Sequence, residues 1–510
     1  MRSRARRVHT QMFSGKMCVS TFTGLEIYFP NCQYSLCPTT GIQSIGRQLS
    51  DFKSKLHYLG GSSTITYVAT PSFNDFEAGV EFRFGTMNDD RTHIGKRECW
   101  GGQMSFGISH IDRRQHVYVI GKTGTGKTTL LKNLICQDID RGHGVGVIDP
   151  HGDLAEDLLN HIPPCRIKDV LYSNPADAEF PIGFNLVRST ASKEQRHLET
   201  SAVVSAFKHF WRESWGPRME YILYASVAAL MECENVSLLA LPRMLVDGRY
   251  RSWILRQVRD PVVQSFWRDE FAHFNKRFLA ETIAPIQNKV GQLLMSAPLR
   301  NVFGQVKSKI DLRYVMDTKR IFIANLSKGR LGEDKANLLG SLLVSKFHTA
   351  AMERANMPEQ LREDFYLYVD EFPNFATDSF AAILSEARKY RLNLILAHQY
   401  IEQMRPEVKD AVFGNVGSLI SFRVGMQDAR VLAGEFNSGY VSEHFTDLPN
   451  HKVLVKLLES GQNIEAFMAE TESPDRAPYS NREKIIQHSR EQFGTRRNLV
   501  EGRIRRWLDK

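Results

Sequence analysis

The residues whose types and spacing most clearly suit chemistry lie in one run, Gly121-Lys122-Thr123-Gly124-Thr125-Gly126-Lys127-Thr128. A G-x-x-x-x-G-K-[ST] spacing lets successive backbone N–H groups turn inward around phosphate oxygens, and a helix beginning at its end adds a positive terminus. The nucleotide-binding segment is therefore expected to run from Gly121 to Thr129. Within it, Lys127 should reach the β- and γ-phosphates and the Thr128 hydroxyl should complete a Mg²⁺ shell. Lys122, inside the loop, reads as a solvated side chain and not as a second catalytic lysine. The chemistry expected is binding of ATP with Mg²⁺, followed by hydrolysis.

Hydrolysis needs a carboxylate for the metal and a base for the attacking water. Phe365-Tyr366-Leu367-Tyr368-Val369-Asp370-Glu371 supplies both, an apolar run ending in Asp370 for the metal and Glu371 as the base. A further apolar run, Leu392 to Ala397, ends in His398 and Gln399. Of these, the Gln399 amide is the better candidate to sense the γ-phosphate or orient water. The turn Asp149-Pro150-His151-Gly152-Asp153-Leu154 closes another apolar run. Helix capping explains Gly152 and Asp153, and a role at a subunit interface explains them as well.

These motifs require strands and helices in alternation. His116–Ile120 and Val145–Asp149 read as strands and Thr128–Ile139 as a helix, an order that specifies a parallel α/β unit. The alternation returns with strands at 321–326, 365–370, 392–397 and 418–424 and helices at 333–352 and 379–390. Between the two blocks strand signals vanish, and aromatic anchors such as Phe207, Trp211 and Tyr224 recur at helical spacing. The organisation expected is a basic arm with a small β-rich or α+β unit (1–105), a first part of the nucleotide-binding domain (106–191) and an inserted all-α domain (192–305). The second part of the nucleotide-binding domain (306–475) and a basic helical tail (476–510) follow. The fold class is α/β.

Composition narrows the setting. With 42% hydrophobic and 24% charged residues in 510, the chain is built like a globular protein with room for several units. A net charge of +9 favours an anionic partner, nucleic acid before membrane. Seven scattered cysteines without a C-x-x-C argue against a disulfide framework or zinc site. No signal peptide or membrane-length apolar run is visible, which leads to the expectation of a soluble, cytoplasmic protein without an integral membrane segment, recruited if needed to the inner membrane face by a partner.

Four segments together carry a family resemblance: the phosphate loop, the turn from Asp149 to Leu154, the strand end Asp370-Glu371-Phe372, and Glu386-Ala387-Arg388-Lys389-Tyr390-Arg391 leading to Gln399. The chain resembles the HerA–FtsK superfamily of ring ATPases, and within it the coupling-protein branch (TraG/TraD type) that drives DNA into conjugative type IV secretion channels. The resemblance spans about residues 106–470. It implies a RecA-like core interrupted by an all-helical domain, a homo-hexamer, Mg-ATP, and DNA moved through a central pore. It also implies an arginine finger acting across the subunit boundary, with Arg388 in the matching position and Arg391 as the alternative. Coupling proteins of this branch usually carry N-terminal membrane helices, which this sequence lacks.

A translocase holds phosphates with Lys and Arg, and two stretches offer them. Residues 243–277 hold eight Lys/Arg against four acids, and the tail from Asn481 holds nine against four. Solvated helix faces account for both equally, so the sequence singles out no DNA-contacting residue. A DNA translocase is the leading expectation, with a secretion, relaxase or nuclease protein as possible partner. The competing expectations are an ATPase that powers protein transport and a nucleotide-gated ring that organises a partner such as a nuclease.

Overall fold

A computed structural model describes the strand residues 17–22, 25–30 and 67–68 and residues 90–99, 102–187, 196–377, 380–436, 439–474 and 478–509. The chain forms two compact units, 1–90 and 91–510. In the first, β1 (Met17–Phe22) pairs antiparallel with β2 (Leu25–Pro30), and β3 (Tyr67–Val68) runs parallel to β2. Up to residue 89, the rest of the expected N-terminal unit, the basic arm over 1–16 included, lies outside the described residues.

The second unit is built on one large sheet. Its strands are β4 (Arg91–Cys99), β5 (Gly102–Ser109), β6 (Val117–Ile120), β7 (Gly144–Asp149), β8 (Val170–Ser173), β9 (Ile321–Asn325), β10 (Phe365–Asp370), β11 (Leu392–His398), β12 (Ser418–Ser421) and β13 (Lys452–Lys456). After a small separate hairpin of β14 (Leu458–Glu459) and β15 (Gln462–Asn463), β16 (Phe467–Thr471) returns to it. The order is β5-β4-β16-β13-β12-β6-β11-β10-β7-β9-β8. From β12 to β8 every neighbour is parallel, and the four strands at the other side are antiparallel. The α/β class with a mainly parallel sheet is thus observed.

The parallel strands are buried throughout and mainly apolar because both their faces are covered. Alternation sends Val117, Val119, Val145, Val147, Ile321 and Ile323 into one core. Helices α1 (Lys127–Asp140) and α2 (Asp153–His161) cover that face with Leu130, Leu134, Leu154 and Leu158. Tyr118, Ile120, Ile148, Phe322, Leu367 and Leu394 point to the other core. That face is shared with α3 (Arg196–Phe210), the first helix of the insertion, and α4 (Glu333–Met352). The insertion leaves the sheet after β8 and re-enters it at β9, a hydrogen-bonded neighbour, so the helical residues interrupt the sheet without disturbing it.

Several boundaries differ from the sequence expectation. Residues 91–99 and 102–105, grouped by pattern with the N-terminal unit, belong with 106–109 to the large sheet, through pairing of β4 with β5 and β16. Their alternating, half-exposed text carries no sign of which sheet they join. The helix expected over 379–390 is α-helical only from Phe380 to Glu386 and tightens to a 3₁₀ turn over Ala387–Tyr390. The strand expected to reach Val424 ends at Ser421, where the chain turns over the phosphate loop. In the tail, α5 (Arg482–Gln492) and α6 (Arg497–Leu508) are the two amphipathic helices expected. Helix α5 lies against β8, where Ser489 Oγ accepts from the Tyr172 N–H at 3.1 Å and covers part of the sheet edge. Among the described residues no helix is long and apolar enough to cross a membrane.

Candidate functional site

The phosphate loop follows β6 and opens α1 at the carboxyl ends of the parallel strands. Gly121 is needed because a Cβ there would lie 2.5 Å from Phe422 Cβ. Gly126 is needed twice, for its φ of 120° and because a Cβ would meet His451 Nδ1 at 2.9 Å. The loop is pinned from outside. The Gly121 N–H donates to His398 O at 3.3 Å, the Lys122 N–H to Arg423 O at 2.8 Å, and the His451 N–H to Thr125 O at 2.9 Å. Among the described residues, no backbone N–H from Thr123 to Thr129 donates to a carbonyl of the chain. These donors converge at a helix N-terminus, a cradle suited to the oxygens of a phosphate chain.

Lys127 is buried, with Nζ folded back on the carbonyls of Gly121 and, at 3.2 Å, Lys122. Burial lowers its pKa, against the pull of Glu371 and Asp370. Lys122 and Thr128 are exposed.

The acidic half comes from β10, which is separated from β6 by β11. Asp370 ends the strand, buried, and its Oδ1 accepts the Glu371 N–H at 3.0 Å. Burial, Glu371 and Asp149 together push the Asp370 carboxyl up to about 7. A second acid beside a buried first one is unfavourable unless a cation sits between them, so the donor set fits a divalent ion. Glu371 is also buried and adopts a left-handed backbone, φ 47°. A non-glycine residue held there stores strain of a kind found at functional sites. Among the described residues no three His, Cys, Asp or Glu side chains form a metal cage. An ion held here would take most of its ligands from phosphate and water, as Mg²⁺ does.

Gln399 meets the loop directly: Thr123 Oγ1 donates to its Oε1 at 2.9 Å. His398, the neighbour set aside by the sequence reading, is buried. Its Nε2 lies 2.6 Å from Tyr118 Oη and its Nδ1 3.3 Å from Gln403 Oε1. Burial lowers its pKa to about 3, so it is neutral at physiological pH and links β11 to the loop-bearing strand. In the 149–154 turn, capping is carried by Asp149. Its carboxylate accepts from His151 N–H at 2.8 Å and Ala155 N–H at 2.9 Å, while Gly152 supplies a φ of 96° at the helix start.

Arg388 lies elsewhere. It belongs to the turn before β11, so the strand's length, about 20 Å, separates it from the loop of its own chain. It is exposed, and among the described residues no carboxylate pairs with it. Arg391 is different: Nη2 bonds Glu359 Oε1 at 3.0 Å and its side chain is 16% exposed. His116 fixes this end of the sheet, with Nε2 3.1 Å from Leu384 O and Nδ1 accepting the Leu394 N–H at 3.1 Å.

Two features escaped the sequence. On the side of the loop away from β10, His451 sits exposed against Gly126 with φ 65°, beside Arg423, whose Nη2 bonds Asn450 Oδ1 at 3.1 Å. A polar side chain just before a strand has no local signature. At the other end of α1, the buried Arg113 pairs with Asp138 through both carboxylate oxygens and lies 3.9 Å from the Tyr366 ring centroid. The alternating aromatic run of β10 was the one available hint.

Residues 104–429 match the family of the type IV secretion-system coupling protein DNA-binding domain. Among solved structures, the bacterial conjugative coupling protein TrwBΔN70 in its unbound monoclinic form matches with a TM-score of 0.53 at 14% identity, over 77% of this chain and 91% of that one. The plasmid coupling protein TrwB in complex with ADP and Mg²⁺ matches with 0.54 at 15% identity, over 73% and 88%. VirB4 of Thermoanaerobacter pseudethanolicus gives 0.48 at 15% identity, over 78% and 100%. For the two TrwB structures the likeness at such identities is one of fold, and the fold is the RecA-like P-loop core expected. Comparison with curated proteins gives no sequence match.

Proposed function

Because the chain belongs to the type IV secretion-system coupling protein DNA-binding domain family, we propose that it is a Mg-ATP-dependent motor that assembles as a ring of identical subunits, six by resemblance, and moves DNA. The observation that supports this reading is where Arg388 stands relative to the phosphate loop of its own chain. The loop N–H groups, Lys127, Asp370, Glu371 and Gln399 gather at the carboxyl end, whereas Arg388, exposed and among the described residues without a carboxylate partner, stands at the opposite end. Only a second copy can bring such an arginine to the nucleotide.

In this mechanism the amides of Thr123–Thr129 hold the phosphates, and Lys127 turns from its own loop carbonyls to the β- and γ-oxygens. Thr128 and Asp370 would hold Mg²⁺, which when bound neutralises phosphate charge and offsets the repulsion among Asp370, Glu371 and Asp149. Glu371 accepts a proton from water as its oxygen bonds to the γ-phosphorus and the bond to ADP breaks. Gln399 orients that water, and its contact with Thr123 relays the state of the γ-phosphate to the loop. Arg388 of the neighbouring subunit stabilises the transferring group, tying turnover to assembly.

The test is the ATPase rate with and without single- and double-stranded DNA, together with particle mass with and without nucleotide. Turnover should rise with DNA and vanish in Lys127→Ala. Equal rates with and without DNA, and no DNA affinity at low salt, overturn the reading. Absence of DNA binding combined with a secretion-complex partner would point to protein transport. Full biological function in Glu371→Gln would point to a scaffold.

A further inference from the structure

The helical insertion carries an exposed tryptophan between exposed arginines, and its neighbours explain why that is not a by-product of packing. Helix Gly248–Leu255 is capped by Asp247, whose carboxylate accepts from the N–H groups of Arg249 and Tyr250. Its inward residues, Ile254 and Leu255, are buried. Arg249, Trp253 and Arg256 follow at i, i+4 and i+7, which places them on one stripe of the helix, and all three are exposed, Trp253 to 40%.

The arginines of this region divide into two sets. Arg251 donates to the carbonyls of Met244 and Leu245 and lies over the Phe271 ring, and Arg243 pairs with Asp247 and lies over Tyr250 and Trp507. Those two are structural. Arg249, Arg256 and Arg259 are exposed, and among the described residues no carboxylate pairs with their guanidinium groups. The tail adds to the same neighbourhood. Trp507 packs edge-on to Tyr250 at 5.9 Å, Tyr250 packs on Trp253 at 5.5 Å, and Arg503, exposed, lies one turn before Trp507 on α6. The indole is thus backed by an aromatic cluster and flanked by cations.

We propose that the Arg249–Trp253–Arg256 stripe is a contact site for single-stranded DNA, with a base stacked on Trp253 and backbone phosphates held by the flanking arginines. The inference rests on the DNA-motor reading and adds a place and a strandedness to it. A tryptophan face stacks on an unpaired base, whereas the bases of a duplex are already stacked on each other. Phosphate contacts by free arginines need no sequence, as suits a motor that moves along its track.

The experiment is fluorescence anisotropy of a labelled oligo-dT strand, and of a duplex of equal length, titrated with the full chain at low salt. Trp253→Ala should weaken the single strand about tenfold, Trp253→Phe should restore most of it, and the duplex should be unaffected by either. Arg249→Ala with Arg256→Ala should lower the slope of log affinity against log salt by about 0.7 for each phosphate contact removed. Unchanged ADP binding in each variant reports an intact fold. Equal affinity of wild type and Trp253→Ala for the single strand, or equal losses for strand and duplex, overturns the assignment alone. A wild-type chain that binds neither form overturns the motor reading as well.

Discussion

Lys127, at the start of α1, and Glu371, just past the end of β10, face the same space, but their removal should read out differently. Lys127→Ala removes a charge that binds phosphate, so calorimetric ADP affinity should collapse together with turnover. Glu371→Gln keeps size and polarity while removing the base, so ADP and ATP should still bind while kcat falls about 10²- to 10⁴-fold. Equal loss of binding in both variants would contradict the assigned roles. Arg388 and Arg391 differ by three positions and can be separated in the same way. Arg388→Ala should lower kcat by about 10³ or more with ADP affinity retained. Arg391→Ala, whose guanidinium already pairs with Glu359, should have a small effect. Because Arg388 lies a strand's length from its own loop, mixing Arg388→Ala with Lys127→Ala subunits should recover activity that neither has alone. A mixture as inactive as its parts would place the finger elsewhere.

The buried Arg113–Asp138 pair ties three elements together: the short helix His110–Arg113, the end of α1, and β10 through Tyr368, whose hydroxyl donates to Asp138. Burial alone would raise the Asp138 carboxyl. The Arg113 charge and the hydrogen bonds from Arg113 and Tyr368, with His143 Nδ1 3.5 Å away, overcome that and hold it at about 2. The folded chain therefore binds this proton less tightly than the unfolded chain. The pair's contribution is complete above the ordinary value of 3.8 and is lost as pH falls from there toward 2. Asp138→Ala leaves Arg113 charged and buried and should cost about 3–5 kcal/mol in denaturant unfolding. It should also flatten the loss of stability between about pH 4 and 2, and an unchanged acid limb would count against the pair. At the sheet edge, Ile485 of α5 is fully buried beside β8. Ile485→Ala should cost about 2–5 kcal/mol, a drop readable as a lower urea midpoint.

For the whole molecule, the proposed motor makes a collective claim that no single residue tests. Particle mass should rise with ATP and stay low in Lys127→Ala, and DNA affinity should fall steeply with salt, as phosphate contacts require. The sequence by itself determined the phosphate loop, the Asp370–Glu371 pair, the parallel strands and the helical insertion. Each of these is local: a glycine spacing, two adjacent acids, an apolar run of strand length, a helical period. It also carried the family resemblance, because motif order along the chain survives at low identity. Only the tertiary structure decided that Gln399 reaches Thr123, that Asp149 caps α2 and raises the pKa of Asp370, and that Arg391 is held by Glu359 while Arg388 has no carboxylate partner among the described residues. It also decided that β4 and β5 extend the large sheet and that Trp507 comes to rest on Tyr250. Apart from the Asp149 cap, these relations join residues tens to hundreds of positions apart. They depend on which strands lie side by side and what packs across them, an outcome of long-range burial that a local pattern does not encode.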